Sequence, residues 1–273
     1  GQSNPTYFVT HGGREMVLRK PPSGEILPSA HRVDREYRVM AALADTDVPV
    51  PRMILLETDP GAIGTPFYLM ERLEGRVVHD SALPDLSPED RRSAWRDTAA
   101  TLARLHAVDW KAAGLEGFGR EGGYFGRQIA RWTKQWTLSR TREDANVDTV
   151  AAWLAENVPA DDATAIVHGD YRIGNLMLAH DAPRVVGVLD WELSTLGHPL
   201  ADLAHLLTAF DFTPDQLGGI AGLDRAALGL PERAEVVADY RAAGGDPSAL
   251  GPFHRAFALF RFSVIFEGIT ARA

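Results

Sequence analysis

The sequence predicts an α+β fold in two lobes: a small N-terminal lobe with an antiparallel sheet and one helix over residues 1–75, and a larger, mainly helical C-terminal lobe over residues 76–273. Three observations predict it. The N-terminal part carries short apolar runs of strand type, separated by Gly and Pro, with one stretch of helical period. After Gly75 the pattern changes to long amphipathic runs that open on helix-start residues. Within that helical part, residues 165–190 revert to short β-branched runs around a polar loop. A chain of 273 residues is ample to bury a sizeable core.

In chain order, Tyr7–Thr10 and Met16–Arg19 read as strands. The His11-Gly12-Gly13-Arg14 stretch between them reads as a hairpin turn, because glycine takes the positive φ a tight turn needs. Pro21, Pro22 and Gly24 make a loop, and Ser29 is placed to cap a helix reaching about Leu43, with Val33, Tyr37, Met40 and Leu43 on one face. Met53–Glu57 and Phe67–Glu71 are two further strands. Ser87, Pro88 and Asp90 occupy the cap, first-turn proline and capping-box positions of a helix that Trp95, Leu102 and Leu105 carry to about Trp110. Phe125, Ile129, Trp132 and Trp136 mark another helix, and Val147 to about Asn157 a further one. Strands follow at Ala165–Val167, Leu176–Ala179 and Val185–Leu189, then helices at Pro199–Ala209, Glu232–Ala243 and from Pro252 onward.

Composition narrows the chemistry. The net charge of −9, from 28 basic and 37 acidic residues, argues against nonspecific nucleic-acid binding, which needs Lys and Arg to displace counterions. With no cysteine, disulfides, thiolate catalysis and Cys-ligated zinc are excluded. No apolar run approaches the length of a membrane span and no signal segment opens the chain, so a cytoplasmic protein is the default expectation. The missing initial Met and the helical pattern still running at Ala273 read as trimmed ends, and monomer and dimer stay equally open.

The stretch Ile166–Leu178, IVHGDYRIGNLML, is where a strand-forming run breaks for His168, Asp170, Arg172 and Asn175 and then resumes. A second acid, Asp190, ends the next strand in GVLDWE. Hairpin pairing of the two flanking strands would set Asn175 beside Asp190, with Asp170 facing them across the loop. Two carboxylates and an amide oxygen gathered at one point repel unless a cation joins them. Hard oxygen donors favour Mg²⁺, which keeps waters and shares substrate phosphates. Phosphoryl transfer needs this set: an Asp to orient the attacking hydroxyl, and an Asn and a second Asp to hold Mg²⁺ on a nucleotide.

With these residues in place, VHGDYRIGNLML, GVLDWE and PLADLAHLL resemble the aminoglycoside phosphotransferase and choline kinase superfamily, which has the bilobal protein-kinase-like fold. QSNPTY, PSAHRVDREYRV and RQIARW further resemble the group related to the kinase domain fused to acyl-CoA dehydrogenases, and the likeness spans essentially the whole chain. The resemblance implies an ATP- and Mg²⁺-dependent kinase acting on a small-molecule hydroxyl. It implies Asp170 as catalytic base and Asn175 and Asp190 as metal ligands. It implies His168 as a loop-shaping residue, Asp202 as a brace of the catalytic loop, and Glu36 as the helix acid that pairs with a phosphate-gripping cation. Glu71, Arg72 and Leu73 resemble the adenine-binding hinge, and Gly1–Asn4, with Ser3 and Asn4, the end of the loop over the phosphates. The cation departs from the kinase pattern: Arg19 stands where a lysine is usual, with Lys20 as the fallback.

Blander roles compete at several positions. Asp170 and Asn175 are also good turn formers. Arg172 is equally suited to touching phosphate or substrate and to local pairing. Trp132 and Trp136 fit either the core or the wall of an acceptor pocket. Two other functions share the residues: a nucleotide-binding module that has lost transfer activity, and a metal-dependent phosphoesterase using His168, Asp170 and Asp190. A polycationic acceptor would need spare acids in the C-lobe, whereas Arg127, Arg131 and Lys134 line one helix, which leans toward an uncharged or anionic hydroxyl compound. The acyl-CoA dehydrogenase resemblance implies a hydroxyacyl compound, including a CoA thioester.

Overall fold

The computed structural model describes residues 4–22 and 32–271. The N-lobe is a four-stranded antiparallel sheet in the order β1-β2-β4-β3, made of β1 (Thr6–His11), β2 (Arg14–Arg19), β3 (Met53–Glu57) and β4 (Phe67–Glu71), with α1 (Val33–Leu43) against it. Gly12 and Gly13 both take positive φ in the β1–β2 turn, as the hairpin requires. In the register, Val17 opposes Met70 and Arg19 opposes Tyr68, so alternate residues of β2 and β4 face α1. The apolar face of α1 buries Val33, Val39, Met40 and Leu43 on that sheet. The expected cap Ser29 lies outside the described residues, and Arg32 stands at the helix start.

Beyond the hinge, β5 (Arg76–Val77) pairs with β7 (Leu176–Leu178), and β7 with β8 (Val185–Val188), while β6 (Ala165–Val167) pairs with β9 (Thr195–Gly197). Gly75 allows the hinge to reach this sheet: a Cβ there would fall 2.6 Å from the Leu178 carbonyl oxygen. The C-lobe helices are α2 (Pro88–Ala107), α3 (Tyr124–Ser139), α4 (Ala145–Glu156), α5 (Pro199–Leu207), α6 (Arg225–Leu228), α7 (Arg233–Ala242) and α8 (Pro252–Thr270). The capping logic holds: Ser87 Oγ accepts the Asp90 N–H at the start of α2 (3.2 Å), and Asp144 Oδ1 accepts those of Asn146 and Val147 at the start of α4.

One core runs from the N-lobe sheet through α2 and the central strands to α5 and α7, around Trp95, Tyr171 and Trp191. A second gathers α3, α4 and α8 around Phe125 and Phe257. At about 25 cal/mol per Å² of apolar area, each buried aromatic contributes a few kcal/mol relative to exposure. These two cores fix α2, α5 and α8 behind the β6–β7 loop. Among the described residues, no helix is long and apolar enough to cross a membrane.

Candidate active site

The β6–β7 loop is held by its backbone. Asp202, buried in the first turn of α5, accepts the N–H of His168 on Oδ2 (2.6 Å) and of Gly169 on Oδ1 (2.9 Å). Arg261 of α8 donates Nη2–H to the Gly169 carbonyl at 2.7 Å. Gly169 itself sits at φ +86°, and a Cβ there would lie 2.6 Å from the Leu193 carbonyl oxygen, so both conformation and space demand glycine. His168 is fully buried: its Nδ1 accepts the Asp170 N–H (3.2 Å) and its Nε2–H donates to the Leu189 carbonyl (2.8 Å). With both ring nitrogens occupied, His168 shapes the loop and has no lone pair for a metal, which removes the ligand set a phosphoesterase would use.

Asp170 emerges from this brace with both carboxylate oxygens engaged. Oδ1 meets His205 Nε2 at 2.8 Å, Oδ2 accepts Asn175 Nδ2–H at 2.7 Å, and Arg172 Nε stands 3.6 Å from Oδ2. Burial would raise this carboxyl, but the hydrogen bond from His205 and the charge of Arg172 outweigh it and hold Asp170 well below the usual carboxylate range. Asn175 closes a short 3-10 turn at Ile173–Asn175, and its N–H bonds the Arg172 carbonyl at 2.9 Å.

Asn175 and Asp190 meet as the hairpin expectation required. Leu176 opposes Val188, and the Leu189 N–H donates to the Asn175 carbonyl at 2.9 Å, so both residues sit at one end of the β7–β8 pair. Asp190 occupies the left-handed region (φ 65°, ψ 57°), which Asp tolerates better than most residues and which recurs where a side chain is held for function. Asn175 Nδ2 is committed to Asp170, which leaves its Oδ1 as the atom suited to a cation.

Across the cleft, Arg19 projects from β2 to Asp190, bonding Oδ1 through Nη2, and its Nε lies 3.0 Å from Glu36 Oε2. Burial works against the Arg19 charge, but Glu36, Tyr68 and Asp190 more than offset it. Glu36 is in turn bonded by Tyr68 Oη–H (2.9 Å) and by the Asn4 amide. Burial pushes the Glu36 carboxyl up even beside Arg19. Asn4 is fully buried behind this pair and does not line the adjoining cavity. Ser3 lies outside the described residues. Lys20 leaves the strand on the other side, its Nζ 3.5 Å from the Pro21 carbonyl.

Two cavities open here. One, of about 600 Å³, is lined by Val17, Arg19, Glu36, Tyr68 and, at and just past the end of β4, Glu71, Arg72 and Leu73. The other, of about 790 Å³, is lined by Asp170, Arg172, His205, Arg261 and the apolar side chains Phe212, Leu217, Phe262 and Ile265. His79, Gly174, Asn175 and Asp190 border both, whereas Asp170 opens only on the second. Asn175 and Asp190 offer only hard oxygens, and among the described residues no three His, Cys, Asp or Glu side chains cluster as a self-sufficient metal site. That donor set fits Mg²⁺ completing its shell with water and phosphate, and does not fit a metal that needs a full protein cage.

Several expectations are redirected. The helix carrying Arg127, Arg131 and Lys134 does not line the larger cavity. Arg127 caps the Arg120 carbonyl at 2.9 Å, Arg131 lies 5.4 Å from the Trp132 ring centre, and Trp136 is buried with its Nε1–H on Asp148. Helices α5 and α8 and the segment 212–219 take that place. His205 and Arg261 are site residues that sequence reading passed over. His205 lies one turn after Asp202 on the same face of α5, a spacing that could have flagged it.

The chain matches the family described as "Phosphotransferase enzyme family" (APH) over residues 1–251, and it belongs to that family. It is 41% identical over 277 residues to acyl-CoA dehydrogenase family member 10 of Mus musculus, covering all of this chain and 26% of that protein. It is 41% identical over 294 residues to probable acyl-CoA dehydrogenase IBR3 of Arabidopsis thaliana, covering all of this chain and 35% of that protein. The chain thus spans about a quarter to a third of the curated relatives it matches. Among solved structures, a Ralstonia eutropha protein assigned provisionally to the aminoglycoside phosphotransferases superposes with a TM-score of 0.91 at 44% identity, over 100% of this chain and 81% of that one.

Proposed function

We propose that this phosphotransferase is an ATP-dependent small-molecule kinase, with residues 1–75 as the nucleotide lobe and residues 76–273 as the acceptor lobe. The observation that carries this reading is the pair of cavities meeting at Asn175 and Asp190, with Asp170 on the far side only. The nucleotide occupies the cavity between the hinge residues Glu71 and Leu73 and Arg19, whose planar fork suits phosphate oxygens. Glu36, Tyr68 and Asn4 hold Arg19 in place. Asn175 Oδ1 and Asp190 would hold Mg²⁺, which when bound neutralises charge across the β- and γ-phosphates. The acceptor hydroxyl binds beside Asp170. Its oxygen attacks the γ-phosphorus, the bond to the bridging oxygen breaks, ADP leaves, and the hydroxyl proton passes to Asp170. A carboxylate held below the usual range is a weak base, so Asp170 orients the hydroxyl early and takes the proton late. Arg172, at the rim of the cavity, meets the acceptor or the transferring phosphoryl group.

The acceptor cavity supports the finer reading of a hydroxyl compound with an apolar part, of hydroxyacyl type. Its acids are Asp170, Asp190 and Glu192, while Arg172 and Arg261 and the α8 side chains Phe262, Ile265 and Phe266 form much of the rest. A polycation would meet few spare carboxylates there. The test is a screen of hydroxyl metabolites for ADP release with ATP and Mg²⁺. Turnover with neutral or anionic hydroxyacyl compounds is expected. Turnover confined to aminoglycosides would overturn the acceptor reading, and phosphate-ester hydrolysis without nucleotide would overturn the kinase reading.

A further inference from the structure

We infer that His205 is the positioning residue of Asp170: its Nε2–H donates to Asp170 Oδ1 and fixes which carboxylate lone pairs remain for the acceptor hydroxyl. The inference rests on the kinase reading above. His205 Nε2 lies 2.8 Å from Asp170 Oδ1, and the ring is stacked on Phe262 of α8 with centres 5.0 Å apart and planes 13° apart. The side chain is 3% exposed and its own carbonyl accepts Thr208 Oγ–H at 2.6 Å, so neither ring nor backbone has room to turn away. Ring Nδ1 is buried with no hydrogen-bond partner among the described residues. An N–H at Nδ1 would be a buried donor left unmade, so the proton belongs on Nε2, where it meets the carboxylate.

The placement repeats a device already in the loop. Asp202 and His205 lie three residues apart on α5 and so project from one face. Asp202 holds the backbone of His168 and Gly169, and His205 holds the side chain of the next residue, Asp170. A single helix therefore sets both the loop and the carboxylate it carries. With Oδ1 on His205 and Oδ2 on Asn175, each oxygen keeps one of its two lone-pair sites, and the carboxylate plane is fixed. Without His205, the side-chain partners left to check rotation of the Asp170 carboxylate among the described residues are Asn175 and the more distant Arg172. Fixing such orientation is worth large rate factors in reactions where positioning carries most of the catalysis.

Two substitutions separate the hydrogen bond from the packing. His205→Phe keeps an aromatic ring against Phe262 but removes the donor, and His205→Gln retains an amide donor. With ADP release from ATP·Mg²⁺ as the assay and water as acceptor, His205→Phe is expected to lower kcat by about 10- to 100-fold, with the KM for ATP unchanged. His205→Gln is expected to recover much of the loss. The ring nitrogens of ¹⁵N-histidine-labelled protein are expected to show His205 protonated on Nε2 and bare on Nδ1, with the Nε2 signal moving in Asp170→Ala. Parental kcat in His205→Phe would overturn the inference. So would equal losses in both variants together with a raised ATP KM, a proton on Nδ1 alone, or a ring signal unmoved by Asp170→Ala. Absence of ADP release by the parent protein under any acceptor would refute the kinase reading instead, and the ring spectrum would then decide whether His205 holds Asp170.

Discussion

Arg19 shows how much one side chain carries. It joins the N-lobe to the C-lobe through Asp190 and satisfies the buried Glu36, so its removal strands a buried carboxylate. Arg19→Met is expected to destabilise the fold by roughly 3–5 kcal/mol, measured by denaturant unfolding, because an uncompensated buried charge is costly. Arg19→Lys keeps the charge but loses the fork that reaches both acids, and is expected to fold while raising the KM for ATP about tenfold. Equal stability of the Met and parent proteins would contradict this account. The period-two pattern of β2 made the inward direction of Arg19 legible in the sequence, since Val17 and Arg19 must share a face. His205 was not legible in the same way. Its partner, Asp170, lies 35 residues away, and only the docking of α5 under the loop brings the two together.

At the scale of elements, the long periodic helices and the four N-lobe strands are read from the sequence to within a few residues, because each has enough apolar positions to define its period. Strands β5 and β9 have two and three residues and exist only through their partners β7 and β6, so no local signal announces them. Residue His198, which no sequence pattern explained, is the N-cap of α5: its Nδ1 accepts the Leu200 N–H at 3.3 Å just ahead of Pro199. That residue meets His254 of α8 and Phe125 of α3, with ring centres 6.0 and 4.9 Å apart. Burial first, then the neighbouring His198, pushes His254 down from 6.5 to about 4. The folded protein therefore binds fewer protons than the unfolded chain between those values, and stability falls as pH drops through that window. The thermal midpoint is expected to decline from pH 7 toward pH 4, and less steeply in His254→Gln. Identical pH profiles would show that the α3–α5–α8 cluster does not carry the effect.

For the whole molecule, the two-lobe architecture was legible because the change of period after Gly75 is abrupt, and the placing of Asn175 beside Asp190 because they flank the paired strands β7 and β8. The acceptor side was less so. Which helices wall a cavity depends on how α3 and α8 pack, and the aromatic side chains of α3 fit a core as well as a pocket until α8 is seen to fill that place. On the proposed reading, a nucleotide bridging both lobes would bind only the folded form. At a ligand concentration near 100 times Kd it contributes about 2.7 kcal/mol, which for a chain of this size raises the unfolding midpoint by roughly 5–10 °C. The most direct measurement pairs that shift with turnover in Asp170→Asn. The variant is expected to keep the parental rise in midpoint with ATP·Mg²⁺ while ADP release in the presence of acceptor falls by about 10²–10⁴-fold. Release at the parental rate would contradict the assignment of Asp170, and with it the chemistry proposed for the cleft.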